Sequence, residues 1–312
     1  MQVVALVDEA LTVTGRLGGT FRAADMDVEG LVAAKAGRRT SLCLPARDEA
    51  ATIGPIVETV VATLVTAHAL VDEVVVVDDR STDGTAAVAA AAGARVVAAD
   101  DVLPEVGPGT GKGEALWKSL AATTGDLVVW CDADIADFDP AFVAGLLGPL
   151  LLHRTVGFAK GFYERPGGGA PGEGGRVTEL VARPLIALLL PDLAGFAQPL
   201  SGEYAGRRDV LERLAFPQGY GVDLGLLVDA VAVLGHAGVA QVDLGTRVHR
   251  NRPLGDLGAT ALAVLHEGLD RAGVTGMAWP ATLARPGESP RTVGDGVRPP
   301  LVDVPSYRRR AG

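Results

Sequence analysis

Four consecutive valines bounded by acids, Glu73-Val-Val-Val-Val-Asp78, constrain the fold of this 312-residue chain more than any other stretch. A strand with one face in water alternates apolar and polar side chains. An uninterrupted apolar run instead predicts a strand covered on both faces, as in a parallel sheet flanked by helices. The neighbouring segments follow the same plan. Ser41-Leu-Cys-Leu44 reads as a strand stopped by Pro45, with Asp48 and Glu49 in the loop and a helix over 52–67. Asp79-Arg-Ser81-Thr82-Asp83-Gly84 supplies turn and N-cap residues before an Ala-rich helix to residue 92, and 93–98 is the next strand. Strand and helix units in alternation predict a right-handed, doubly wound α/β fold.

The excess of acid, 38 Asp+Glu against 28 Lys+Arg, argues against general binding to nucleic acid or an anionic membrane, which needs a positive field. An anionic substrate must then be met by a local cluster of cations. The first residues break early into Asp8-Glu9 with no basic region before them, unlike a signal peptide. The most membrane-like stretch, 185–200, is interrupted by Pro191 and Asp192 and is short for a span, so it is expected as a buried helix and a turn. Cys43 and Cys131 each fall in a predicted strand, as small core residues of a reduced cytoplasm.

Chemistry concentrates at a few places. Asp126-Leu-Val-Val-Trp-Cys-Asp132-Ala-Asp134 reads as a buried strand with two carboxylates, two residues apart, at its C-terminal edge. Ligands of open α/β sheets bind outside that edge, and a D-x-D there suits a divalent cation on a diphosphate. The same residues are compatible with a solvated acidic turn. Before them lies a Gly-rich loop, 104–113, that ends on Lys112 and is followed by a helix over 114–122; Gly113 after the lysine breaks the P-loop pattern. A second glycine loop, 167–175, opens onto Arg176-Val-Thr178 at the start of a helix to about 190, an arrangement suited to anions. Tyr220 and Asp223 open another helix, running to about 234. After a strand over 239–244, Arg247-Val-His249-Arg-Asn251-Arg252 packs three arginines and a histidine into six residues, as either a solvated basic edge or a phosphate-facing cluster. A helix over 254–270 follows, and the Pro- and Gly-rich residues 271–312 read as a partly disordered tail.

Taken in order, Pro45-Ala46-x-x-Glu49, Asp78-Asp79-x-Ser81-x-Asp83, Lys112 and Asp132-x-Asp134 resemble nucleotide-sugar glycosyltransferases of the GT-A type. Longer blocks narrow the resemblance. Pro108-Gly-x-Gly-Lys112-Gly-Glu-Ala-Leu-Trp-Lys, Gly175-Arg-Val-Thr-Glu-Leu-Val-Ala-Arg-Pro, Gln198-Pro-Leu-Ser-Gly-Glu-Tyr-Ala and His249-Arg-Asn-Arg-Pro-Leu254 are similar to the actinobacterial glucosyl-3-phosphoglycerate synthase family, across roughly residues 28–260. That resemblance implies a GT-A fold with a Rossmann-like, mostly parallel sheet and a C-terminal acceptor region. It also implies retaining transfer of glucose from UDP-glucose to the 2-hydroxyl of 3-phosphoglycerate, with Mg²⁺ or Mn²⁺, in a cytoplasmic homodimer without nucleic acid or a membrane span. The expected organisation is an N-terminal extension (1–40), a nucleotide-sugar half (41–160), an acceptor half (161–270) and a flexible tail (271–312).

The family's roles carry over residue by residue. Pro45, Ala46, Glu49 and Asp79 would meet the nucleoside, Lys112 the diphosphate, and Asp132 the ribose or a metal-bound water. Asp134 and His249 would hold the metal. Gly175, Arg176, Thr178 and Asn251 would bind the acceptor, and Tyr220 and Asp223 would line the sugar side, with Lys112, Asp134 and Asp223 nearest the chemistry. The family has glutamate where this chain has Asp223, which leaves its contact open but keeps the carboxylate. Rival readings are a mannosyl-3-phosphoglycerate synthase using GDP-mannose, a lipid-directed GT-A transferase and a silent nucleotide-sugar module.

Overall fold

The valine run is a strand, Glu73–Asp78, second from one edge of an eight-stranded sheet. The computed structural model describes residues 17–164, 175–247, 254–294 and 296–311. In chain order its first elements are β1 (Thr20–Arg22), α1 (Val28–Lys35), β2 (Thr40–Ala46), α2 (Ile53–Val60), β3 (Glu73–Asp78), α3 (Thr85–Ala91), β4 (Arg95–Ala98), α4 (Gly111–Ala122), β5 (Leu127–Trp130) and α5 (Ala141–Leu152). There follow β6 (Phe158–Glu164), α6 (Arg183–Leu189), β7 (Tyr204–Arg207), α7 (Arg208–Leu211), β8 (Phe216–Pro217), α8 (Val222–Leu234), β9 (Val239–Thr246), α9 (Leu254–Arg271), β10 (Ala281–Leu283), β11 (Arg291–Val293), β12 (Val297–Arg298) and α10 (Pro305–Ala311). Wider π turns extend α2 over Val61–Ala67 and lead into α6 over Thr178–Ala182.

The sheet order is β1-β9-β6-β7-β5-β2-β3-β4. Its pairs are parallel except where β7 runs backwards between β5 and β6. Alternation of side chains explains the valines: Val74 and Val76 join the core on one face, with α1, α2 and α5, while Val75 and Val77 join the core on the other, with α4, α8 and α6. Leu127 and Val129 separate from Val128 and Trp130 in the same way. The two cysteines also part: Cys131 packs in the first core and Cys43 in the second, both as free thiols. Burial pushes the Cys43 thiol up to about 12 and that of Cys131 well above its ordinary range, so neither is a nucleophile.

Several boundaries differ from expectation. Pro45 lies inside β2 instead of ending it. Ala46 O accepts from Asp79 N on the β3 side and Cys43 O from Cys131 N on the β5 side, so alternation turns Pro45 towards β5, whose pairing has already stopped at Cys43. No hydrogen bond is lost. Helix α4 begins at Gly111, which moves Lys112 from a loop onto its first turn. Residues 20–22 of the expected extension form an edge strand of the sheet. The segment expected as a loose tail is tied down near its end: β12 pairs with β8, Trp117 Nε1 donates to Pro299 O at 2.8 Å, and Leu301, Val304 and Tyr307 are buried. Composition alone hides this, because these apolar residues are spaced singly among prolines and arginines. Among the described residues no helix is long and apolar enough to cross a membrane.

Candidate active site

At the C-terminal edge of the sheet β5 stops at Trp130, so Asp132 and Asp134 sit in the turn beyond it and not on strand positions. What brings them together is Arg247, just past the end of β9. Its guanidinium contacts Asp134 Oδ1 at 3.0 Å and lies 3.7 Å from Asp132 Oδ2. The same group pairs with Glu203 and donates to Tyr163 Oη at 3.1 Å, stacking on that ring. Arg247 is 1% exposed and Glu203 fully buried. A planar fork with five donors can serve this many acceptors at once, which a lysine cannot. Burial pushes the Glu203 carboxyl up and Arg247 pulls it back.

A second cation lies on the other side of Asp132. Lys112 Nζ stands 2.8 Å from Asp132 Oδ1 and 3.2 Å from Asp223 Oδ1, so α4 and α8 each deliver one end of the bridge from their first turns. Burial opposes charge on Lys112, but Asp132 and Asp223 outweigh it and hold the amine well above its ordinary range. Asp223 also accepts from Tyr204 Oη at 3.3 Å, and its carboxyl is raised by burial against the pull of Lys112 and Lys160. Beneath, Lys160 on β6 donates to the Asp223 carbonyl at 3.1 Å and lies over the Tyr204 ring. Burial drives its amine down to about 8. Gly202 closes the floor: a β-carbon there would fall 2.5 Å from both Asp132 Oδ1 and Lys112 Nζ.

At the far end of the same edge, the turns after β2 and β3 interlock. Thr82 N donates to Asp48 Oδ1 at 2.7 Å, Asp48 N to Ser81 Oγ at 3.0 Å, and Glu49 N to Thr85 Oγ1 at 2.8 Å. Asp48 and Arg80 take left-handed backbone at φ 57 and 61, a strain that suggests a functional constraint on both turns. Asp79 is buried and held by Arg80 at 2.9 Å and Arg47 at 3.8 Å. Thr52 Oγ1 donates to Ala133 O at 2.7 Å, joining the turn of Glu49, which follows Pro45 and Ala46 at the end of β2, to the D-x-D.

The structure thus gathers Lys112, Asp132, Asp134 and Asp223 into one ionic cluster, with Glu49 linked to it through Thr52. Tyr220, half-exposed, lies on the turn that leads into α8. Gly175, at φ +79, opens the helical turn that carries Arg176 and the buried Thr178, and that helix packs on α9. His249 and Asn251 lie outside the described residues. Sequence reading gave no role to Glu203, Tyr204 or Lys160, and it set Arg247 in a basic edge or phosphate-facing cluster where the structure turns it inward onto carboxylates. A lone lysine in the apolar strand over 155–162, and an acid between Gly202 and Tyr204, were the available signals.

Among the described residues no three His, Cys, Asp or Glu side chains form a group able to enclose a metal ion. The hard oxygens of Asp132 and Asp134 at an open turn instead fit a divalent cation that shares its ligands with substrate phosphates, the habit of Mg²⁺ and Mn²⁺.

A mostly parallel α/β sheet with a D-x-D turn past a central strand and a buried lysine bridging it is the architecture of a GT-A glycosyltransferase, and the chain belongs to glycosyl transferase family 2, whose family model matches residues 41–212. It is 52% identical over 252 residues to a glucosyl-3-phosphoglycerate synthase of Mycolicibacterium smegmatis, covering 80% of this chain and 82% of that protein. The crystal structure of glucosyl-3-phosphoglycerate synthase from Mycobacterium tuberculosis in complex with Mn²⁺, UDP-glucose and phosphoglyceric acid is similar at a TM-score of 0.84 and 45% identity, over 92% of this chain and 98% of that one. The same enzyme with Mn²⁺, UDP and glucosyl-3-phosphoglycerate gives 0.83 and 46%, over 92% and 99%.

Proposed function

We propose that this chain is an enzyme that transfers glucose from UDP-glucose to the 2-hydroxyl of 3-phosphoglycerate with retention of configuration, in the cytoplasm. The observation that carries this reading is the Lys112 ammonium held between Asp132 and Asp223 beside the D-x-D, a fixed positive charge where the departing diphosphate gains negative charge. The relatives and the substrate-bound structures above supply the sugar, the nucleotide and the acceptor.

In this reading residues 41–160 are the nucleotide-sugar half and 161–270 the acceptor half. Pro45, Ala46, Glu49 and Asp79 receive the uridine, their turns set by the interlock with residues 81–85. Asp134 and His249 hold Mg²⁺ or Mn²⁺, which when bound offsets diphosphate charge, and Asp132 meets the ribose or a water on that metal. Lys112 does the same from the opposite side and keeps Asp223 oriented, while Asp223 and Tyr220 line the glucose. Gly175, Arg176, Thr178 and Asn251 bind the phosphate and carboxylate of the acceptor. The exposed Leu180 and Leu188, on the helix after Arg176, support a homodimer through that face. The test is a rate comparison of UDP-glucose, GDP-glucose, UDP-mannose and GDP-mannose with 3-phosphoglycerate and Mn²⁺, the product read by mass spectrometry and its anomeric coupling. UDP-glucose is expected to lead; a clear preference for GDP-mannose overturns the choice of donor.

A further inference from the structure

We propose that Arg298, near the C-terminus, is a positioning residue for Lys112, and that the strap 297–299 is therefore part of the catalytic apparatus. This rests on the glycosyltransferase reading above. Arg298 lies on β12, which pairs with β8 in the register Val297↔Pro217 and Arg298↔Phe216. From there its guanidinium reaches across α4. Nε meets Glu114 Oε2 at 2.6 Å and Nη2 meets Oε1 at 2.9 Å, a two-pronged pair on a carboxylate that is 1% exposed. Its remaining donors go to main-chain carbonyls of the glycine loop, Val106 O at 2.8 Å and Gly107 O at 2.9 Å. The plane lies over the Trp117 ring, and Trp117 in turn donates to Pro299 O.

The chain that leads into Lys112 is therefore fixed from one side at residues 106 and 107. From the other side Arg80 fixes it again, donating to Gly109 O at 2.9 Å while holding Asp79 and Asp100. Gln218 Nε2 donates to Glu114 Oε2 at 2.8 Å, while Gln218 N donates to Gly296 O at 2.9 Å and Gln218 Oε1 accepts from Gly296 N at 3.0 Å, beside the strap. Glycines permit this closeness: a β-carbon at Gly111 would fall 2.8 Å from Gly219 Cα, and one at Gly113 would overlap Pro217 O. They also make residues 107–113 intrinsically pliant, since glycine backbone loses more freedom on ordering than any other. A pliant approach cannot by itself hold a lysine to within a few tenths of an ångström of two carboxylates; Arg298 supplies the constraint. Lysine could not replace it, having neither the fork for Glu114 nor spare donors for two carbonyls.

The test is a kinetic double-mutant cycle on the full chain. Without Arg298 the buried Glu114 keeps Lys118 Nζ at 3.4 Å and Gln218 Nε2 at 2.8 Å, so the cycle uses Arg298→Met, which fills the same space without charge, and Lys112→Ala, with thermal unfolding of each variant alongside. Because displacing a catalytic group by about 1 Å costs on the order of 100-fold, Arg298→Met is expected to lower kcat/KM for UDP-glucose by about 10- to 100-fold. The KM for 3-phosphoglycerate should stay within about twofold, as expected for an interaction the acceptor does not make. In the Lys112→Ala background the same change should cost less than about threefold more, since residues acting through one group are not additive. Arg298→Lys should not rescue. Full additivity, or unchanged donor kinetics in a folded variant, overturns the proposal. Absence of transfer by the unaltered chain sinks the glycosyltransferase reading instead.

Discussion

Gly202→Ala separates the site from the fold. Gly202 is not in left-handed backbone, so alanine fits its main chain and should stabilise the folded state by up to about 1 kcal/mol through the unfolded chain. The new methyl, however, would be 2.5 Å from Asp132 Oδ1 and from Lys112 Nζ, both of which are ends of flexible side chains that can yield. Reaching ordinary contact needs a retreat of about 1 Å, which lengthens the Lys112–Asp132 pair from its 2.8 Å. At an effective dielectric of about 20 that lengthening removes about 1.5 kcal/mol of attraction, and misplacing a catalytic group by about 1 Å costs on the order of 100-fold, or about 2.7 kcal/mol. Initial rates with UDP-glucose and 3-phosphoglycerate, beside thermal unfolding of the same preparation, decide the matter. The expected result is a kcat/KM lowered by about 10- to 100-fold with a Tm within a few degrees of the parent's, since the weakened ion pair and the gain through the unfolded chain nearly offset each other. A variant within about threefold of the parent, or one that loses activity only because it unfolds, would refute the placement of Gly202 under the ion pair.

Three further outcomes follow from the same cluster. Chelation should abolish transfer, with Mn²⁺ or Mg²⁺ restoring it, and Asp134→Ala should lose about 100- to 1,000-fold in kcat/KM while keeping its circular dichroism, because Glu203 and Tyr163 still hold Arg247; transfer that survives chelation argues against the metal. Lys160 carries a pH signature: burial lowers its amine from 10.5 to about 8, so between those values the unfolded chain holds a proton the folded chain has released, and stability gains with rising pH. Lys160→Met lacks that gain, so the parent's unfolding free energy in urea should rise relative to the variant's by on the order of 3 kcal/mol across this window, and parallel curves would count against it.

Where burial repeats along a strand, the sequence is easily read. Val74 to Val77 and Leu127 to Trp130 alternate between two cores, so every residue in each run is apolar and the strands stand out. The carboxylates beyond them are legible for the same reason, as charges that follow a buried strand. Glycine was misleading because it serves two purposes. At 111 and 113 it permits close approach to residues 217–219, yet it reads as a loop and hides the first turn of α4. Pro45 misled similarly, since its missing N–H matters only where a neighbouring strand continues. Least legible were contacts between distant segments. Nothing local marks Arg247 as the partner of Glu203 and Asp134, or Arg298 as the partner of Glu114, because each pairing is fixed only once the sheet order is known.

The reversed strand β7 has a consequence for how such a site can be altered. Parallel strands deliver their ends to the working edge, and every one of them must return by a crossover. β7 delivers its beginning there, so Gly202 and Glu203 arrive from the segment between α6 and β7, which contains only the short 3-10 turn Pro191–Leu193. That segment is itself tied to the framework: Leu193 and Phe196 are buried in the core, the Gln198 side chain meets both main-chain groups of Tyr163, and Ser201 Oγ donates to Gly161 O next to the floor beneath Lys112. A change along residues 190–201 therefore reaches the floor of the cavity through core packing, and this connection couples the shape of the site to the stability of the fold.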